Sequence, residues 1–265
     1  MEYVATMFYK NTVIVTSFDE NYMEYSKVMI KTLSQNYSGA TVLDLYCLVP
    51  DSLMQEEDAF VYSLGDLKNI KISFRSSPKF KNLVVDKSEW FTKSAWHRIF
   101  ISSISLSHDR AIYIDPDCMI LRDIMPLLNY PNHNPFIALV QDDFSNHSEI
   151  AYGSPDIPYI NDGVFITDLN FWRNNRVEEK LLNYLKENGQ TRFIEQDTLS
   201  IFMQPFLSPL PVTFNFLVHK IELYENTPSP MIIHFCGPEK PWLSGWDNKY
   251  HVMWKNVFNT LTYCQ

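Results

Sequence analysis

The chain has 265 residues, 46% of them hydrophobic and 15% aromatic, enough for a large buried core and too apolar for a disordered chain. A formal net charge of −9 argues against a nucleic-acid backbone or an anionic membrane as the main partner, since both demand clustered Lys and Arg. The four cysteines, Cys47, Cys118, Cys236 and Cys264, are scattered and form no CxxC pair, which argues against a disulfide framework or a thiolate zinc site and fits a reducing compartment. No stretch at the N-terminus reads as a signal peptide, and no apolar run nears the roughly 18 residues that span a bilayer. The expectation is a cytoplasmic protein that is not an integral membrane protein.

Val13–Thr16 reads as a short β-branched strand ending at Ser17-Phe18-Asp19. Tyr25, Met29 and Leu33 then recur every four residues, as on a helix. A strand is expected over 41–50, a helix start at QEEDAFVYSLGDL with acids in its first turn, and a strand over 68–74. Residues 88–106 read as a largely buried helix, with Phe91, Ala95 and Ile99 on one row and Trp96, Phe100 and Ile104 on another. The apolar strand AIYI follows and runs into Asp115-Pro116-Asp117. Strand and helix alternating in this way predict a parallel α/β sheet, in which ligands bind beyond the carboxyl ends of the strands. Past residue 121 the pattern mixes. Strands are expected over 135–143, 159–169 and 231–237, and helices over 170–189, with Gly189 as a C-cap, and over 247–261.

Two aspartates one residue apart repel each other, and burying either is costly without a cation. Hard carboxylates spaced D-x-D suit manganese or magnesium, and the ion removes the like-charge penalty. His234 ends a strong apolar strand, and an Asp, Asp, His set accepts manganese more readily than magnesium because imidazole is the softer donor. Taken alone, His234 is more often a hydrogen-bonded core residue than a ligand, and Lys240, six residues on, an ordinary surface lysine.

Four ordered blocks resemble the family 8 glycosyltransferases: VTSFDENY, IYIDPDCMIL, YINDGVFITDL with IEQDTLSIF, and IIHFCGPEKPW. The resemblance implies a GT-A fold, an α/β single domain with a mixed, mostly parallel sheet flanked by helices. The nucleotide-binding half would cover about 1–121 and the acceptor half about 122–265. It implies retaining transfer of a hexose, glucose or galactose before others, from a UDP-sugar to a hydroxyl of a glycan or protein. Manganese would be required, with magnesium second, and a homodimer is compatible with the family. Carried over by position, Asp115, Asp117 and His234 are the metal ligands. Gly237 and Lys240 hold the diphosphate, and Asp19 and Tyr22 take the uracil with Thr16 and Ser17 beside them. Arg98, or its rival Lys93, lies near the phosphates and donor sugar. Asn161 and Gly163 form the turn under that sugar, Asp142 and Glu195 bind it, and Gln196 lies near the anomeric carbon. Two positions depart from the family: Asp162 stands where Ala or Ser is usual, and Glu195 where Asp is.

Retention is expected to follow front-face attack, because a neutral amide at Gln196 is a poor nucleophile. Two other readings compete: a GT-A scaffold that binds nucleotide-sugar or glycan without turnover, and a haloacid dehalogenase-type phosphatase built on YIDPDCMI. The motif also suggests that Asp117→Asn would abolish turnover yet leave melting nearly unchanged, since it removes a like charge.

Overall fold

The computed structural model describes residues 11–77, 79, 93–131, 134–141, 159–188, 194–224, 229–245 and 248–262. β1 (Thr12–Ser17), β2 (Leu43–Leu48), β3 (Ile70–Arg75) and β4 (Arg110–Ile114) are parallel and lie in the order β3-β2-β1-β4. Between them in the chain come α1 (Met23–Gln35), α2 (Glu57–Ser63) and α3 (Ile101–Ile104). The sheet continues through β7 (Tyr159–Asp168), antiparallel to β4 and to β6 (Phe136–Gln141), and ends with β8 (Leu207–Pro209), parallel to β6. The mixed, mostly parallel sheet expected from the sequence is what the chain builds. A second sheet, with strands only two or three residues long, has the order β5 (Cys118–Ile120), β10 (Ile232–His234), β9 (Phe216–Leu217).

The central strands are apolar throughout because both faces are covered. Ile14, Ile112 and Ile114 belong to one core with Val28, Met29 and Leu33 of α1 and Trp254 of α8 (Lys249–Thr262). Their neighbours Val13, Val15, Ala111 and Tyr113 point the other way, into a core with Trp96, Ile99, Trp172 and Leu199. Trp172 sits on α5 (Leu169–Asn174) and Leu199 on α7 (Ile194–Met203); α4 (Met125–Leu128) and α6 (Val177–Asn188) complete the helices used below. Side chains of α1 and its C-cap fasten the small sheet: Thr32 Oγ1 accepts from the Ile120 amide at 3.1 Å, and Asn36 Nδ2 donates to the Ile120 carbonyl at 3.1 Å.

Two helices differ from expectation. The segment read as one helix over 88–106 is a 3₁₀-helix over Lys93–Phe100 followed by the single turn of α3, while 88–92 lie outside the described residues. Trp96, Ile99 and Phe100 are buried as expected, but the tighter winding goes with Arg98 folding its Nε back onto the Ala95 carbonyl at 3.0 Å. The helix read over 170–189 is two, α5 and α6, broken where Arg176 adopts a φ of +52°. The polar run Asn174-Asn175-Arg176 has no apolar side chain to hold it against the core, and Arg176 turns out to pair with Glu179. Asp168 caps α5 by accepting from the Phe171 amide at 2.8 Å. The C-cap expected at Gly189 lies outside the described residues. Among the described residues no helix is long and apolar enough to cross a membrane.

His97 is buried against the Leu48 carbonyl, 3.4 Å from its Nδ1, and burial pulls its imidazole down from the ordinary 6.5 to about 4. An unfolded chain takes up that proton near 6.5 and the folded one only near 4, so stability falls as pH drops through this window. At about 1.4 kcal/mol per unit the full loss is about 3 kcal/mol. His97→Gln should flatten the fall in melting temperature between pH 7 and pH 5; parallel curves for the two proteins would remove His97 as its source.

Candidate active site

Asp115 lies one residue past β4, and its carbonyl accepts from the Cys118 amide at 3.1 Å. This closes a four-residue turn with Pro116 in its second position, where a fixed φ suits the bend. The turn carries the chain out of the seven-stranded sheet and into β5. The two acids, one residue apart, therefore belong to different sheets, Asp115 at the end of β4 and Asp117 at the start of β5. Opposite them β7 is irregular: its pairing with β6 jumps from Ala138↔Phe165 to Leu139↔Asn161, leaving residues 162–164 without partners on β6. Such bulges re-aim a strand beside a site. Here the Gly163 carbonyl accepts from the Asp115 amide at 2.8 Å. A Cβ on Gly163 would lie 2.1 Å from His234 Cε1 and 2.9 Å from Asp115 Oδ2, so only glycine fits.

The oxygens of Asp115 divide their work. Oδ1 accepts from Arg98 Nη2 at 2.8 Å and from the Tyr113 hydroxyl at 2.9 Å, while Oδ2 faces His234 Nε2 at 3.6 Å. Asp117 Oδ1 lies 3.4 Å from the same nitrogen, and its Oδ2 contacts the Lys240 ammonium, which also donates to the Phe235 carbonyl at 2.8 Å. Burial pushes Asp115 up to about 6, opposed by Arg98 and reinforced by Asp117. Burial acts the same way on Asp117, but Lys240 and His234 outweigh it and hold that carboxyl below the usual range. Burial would lower Lys240, and Asp117 reverses this.

Asn215 orients His234. Its Nδ2 donates to Asn161 Oδ1 at 2.8 Å, so its Oδ1 is the acceptor for His234 Nδ1 at 2.9 Å. That bond fixes the ring and leaves Nε2 as the nitrogen that faces the acids. Two carboxylates and an imidazole, crowded and buried with like charges together, fit a divalent cation between hard and borderline in character. One ligand atom from each of Asp117, Cys118 and His234 also lies within 4.8 Å of the others. Burial holds the Cys118 thiol well above its ordinary range, so the carboxylate of Asp115 is the better partner for a hard ion.

Arg98 is a buried clamp, no helix-surface arginine. Nη1 lies 3.0 Å from the Asp162 carbonyl and 2.9 Å from Asp162 Oδ2, and the guanidinium stacks 4.5 Å over the Tyr113 ring. Ser17 Oγ lies 2.6 Å from the Tyr113 hydroxyl, and the Thr16 hydroxyl beside it is buried without a hydrogen bond among the described residues. Asp19 Oδ1 accepts from the Asn21 amide at 3.0 Å. Tyr22 stands edge-on to Trp242 at 5.4 Å with the Lys240 ammonium 5.9 Å from its ring; burial pushes its hydroxyl up to about 12. Gly237, with φ +85°, takes the left-handed conformation that favours glycine.

Asn161 Oδ1 also accepts from the Gly163 amide at 3.2 Å, and its Nδ2 lies 3.5 Å from Gln196 Oε1. Gln196 Nε2 donates to the Tyr159 hydroxyl at 2.9 Å, which donates in turn to Asp197 Oδ1 at 2.5 Å. Asp142 and the side chains of Glu195 and Lys93 lie outside the described residues. Three participants carry no sequence signal: Asn215, Tyr113, and Asp162 as the partner of Arg98.

The profile of "Glycosyl transferase family 8" matches residues 13–245. General stress protein A of Bacillus subtilis is 25% identical over 277 residues, covering 94% of this chain and 95% of that protein. Lipopolysaccharide 1,2-glucosyltransferase of Escherichia coli is 24% identical over 243 residues, covering 84% and 70%. Among solved structures, galactosyltransferase LgtC in complex with donor and acceptor sugar analogues superposes with a TM-score of 0.79 at 18% identity, covering 94% of this chain and 96% of that one.

Proposed function

The chain belongs to glycosyl transferase family 8, with a GT-A fold, and on that premise we propose that it moves a hexose from a UDP-sugar to a hydroxyl of a glycan or protein, with retention of configuration. The observation that carries this reading is the meeting of Asp115, Asp117 and His234 beside Lys240, at the carboxyl end of β4. Asp115, Asp117 and His234 would hold manganese, which supplies charge neutralisation for the departing diphosphate. Lys240 adds a second positive charge to the leaving group, and Gly237 lets backbone approach it. Asp19 and Tyr22, with Thr16 and Ser17, receive the uracil, so residues up to about 121 form the nucleotide half and the rest the acceptor half.

Asn161, Asp142 and Glu195 read hydroxyls of the donor, and Arg98 lies near its phosphates and sugar. The Gln196 amide is held by Asn161 on one side and Tyr159 on the other. It supports positive charge at the anomeric carbon and forms no bond to it. The acceptor attacks on the face that UDP leaves, and the departing diphosphate takes the acceptor's proton.

UDP release measured with manganese across UDP-glucose, UDP-galactose, UDP-GlcNAc, UDP-xylose and UDP-glucuronate tests the reading. One hexose donor should dominate, and a chelator should abolish both turnover and tight UDP binding, with recovery on adding manganese. UDP affinity unaltered in excess chelator, or a product with inverted anomeric configuration, would overturn it.

A further inference from the structure

We infer that the centre holds a thiophilic metal site, overlapping the proposed manganese site, in which Cys118, His234 and Asp117 capture a zinc-like ion. Cys118 and His234 are direct cross-strand partners between β5 and β10, so their side chains share a face of the small sheet. The Cys118 sulfur, an imidazole nitrogen of His234 and a carboxylate oxygen of Asp117 all lie within 4.8 Å of one another. His234 Nδ1 is taken by Asn215, which leaves Nε2 as the ligand nitrogen. Cys118 is fully buried and in no disulfide.

A tetrahedral zinc with bonds of about 2.0–2.3 Å sets ligand atoms about 3.3–3.6 Å apart. His234 Nε2 and Asp117 Oδ1, 3.4 Å apart, already fit that spacing, so it is the sulfur that closes the remaining distance. Asp115 stays with Arg98 and Tyr113 and is not required. The ion thus has three protein ligands and one open position. Binding replaces the thiol hydrogen: the sulfur's electron pair forms the S–Zn bond and the proton leaves to solvent.

Manganese, a hard ion, gains little from sulfur, whereas zinc, cadmium and cobalt gain much. Because Asp117 and His234 serve both ions, a thiophilic metal displaces the proposed manganese. Only this consequence, inhibition of transfer, rests on the function proposed above; the site itself does not.

The test uses cobalt as the probe, since a cobalt–thiolate bond gives a near-ultraviolet charge-transfer band. Titration of the metal-free protein with cobalt should produce the band in wild type and in Cys236→Ser, and not in Cys118→Ser or Cys118→Ala. Cys236, whose Sγ lies 3.4 Å from His219 Nδ1, is the rival thiol that this control removes. Zinc should inhibit Cys118→Ser at least about tenfold less strongly than wild type. A band that survives in both Cys118 variants, or no band in wild type, overturns the site. A band without manganese-dependent UDP binding leaves the site standing and defeats the proposed function instead.

Discussion

Asp117→Asn should abolish transfer and also lower the stability of the protein markedly. The D-x-D motif, read as two repelling charges, predicts a melting temperature nearly unchanged. The structure changes that expectation because Asp117 Oδ2 contacts the Lys240 ammonium, and Lys240 is only 15% exposed. Removing the carboxylate strands a buried cation, and breaking such a pair from one side costs about 3–5 kcal/mol. Melting without metal or nucleotide should therefore drop by many degrees. Adding Lys240→Met to the Asp117→Asn protein should recover most of the loss while leaving turnover absent, since a neutral pair carries no stranded charge. The cycle through both single variants should show a coupling well above 1 kcal/mol, as expected for groups in contact. An Asp117→Asn protein that melts like wild type would show that Lys240 finds another partner.

Gly163→Ala should be nearly as severe for activity by a different route. The added methyl would sit 2.1 Å from His234 Cε1, 2.6 Å from its Nδ1 and 2.9 Å from Asp115 Oδ2. None of these can retreat cheaply. The imidazole is held by Asn215, and Asp115 by Arg98, Tyr113 and the Gly163 carbonyl itself. A displacement near 1 Å of positioned groups lowers turnover by about 10²-fold or more, and overpacking costs about 1–3 kcal/mol of stability. Gly237→Ala is the informative comparison. Its chain neighbours aside, no atom of the described residues lies within 4 Å of its added Cβ, yet φ is +85°, so its cost is backbone strain of about 1–2 kcal/mol. Manganese-supported UDP affinity should fall far more for Gly163→Ala. Equal losses would mean that the bulge in β7 yields where the packing says it is rigid.

Much of this architecture is legible in the sequence, because parallel strands buried on both faces must be apolar throughout. Val13–Val15 and Ala111–Ile114 announce themselves in that way. The strand-end acids and His234 are legible because polar groups there have no reason to interrupt an apolar run. The remainder depends on distance along the chain. Asp162 lies 64 residues from Arg98, and Asn215 lies 54 from Asn161 and 19 from His234. No local pattern encodes these pairs. β5 and β9 are too short to show a period of two, and the break at Arg176 follows from the absence of an apolar anchor, which a polar helix face imitates.

The small sheet is held to the molecule by Thr32 and Asn36 at Ile120, and it carries Asp117 at one end of β5 and His234 at the end of β10. Asp115, by contrast, is bonded to Gly163 of the large sheet. The candidate site therefore straddles two sheets that share one core. A local opening that freed β5 and β10 from α1 would part the three proposed ligands. Metal and nucleotide, once bound there, would act as a staple between the two sheets and oppose that opening by mass action, in proportion to ligand concentration over its dissociation constant.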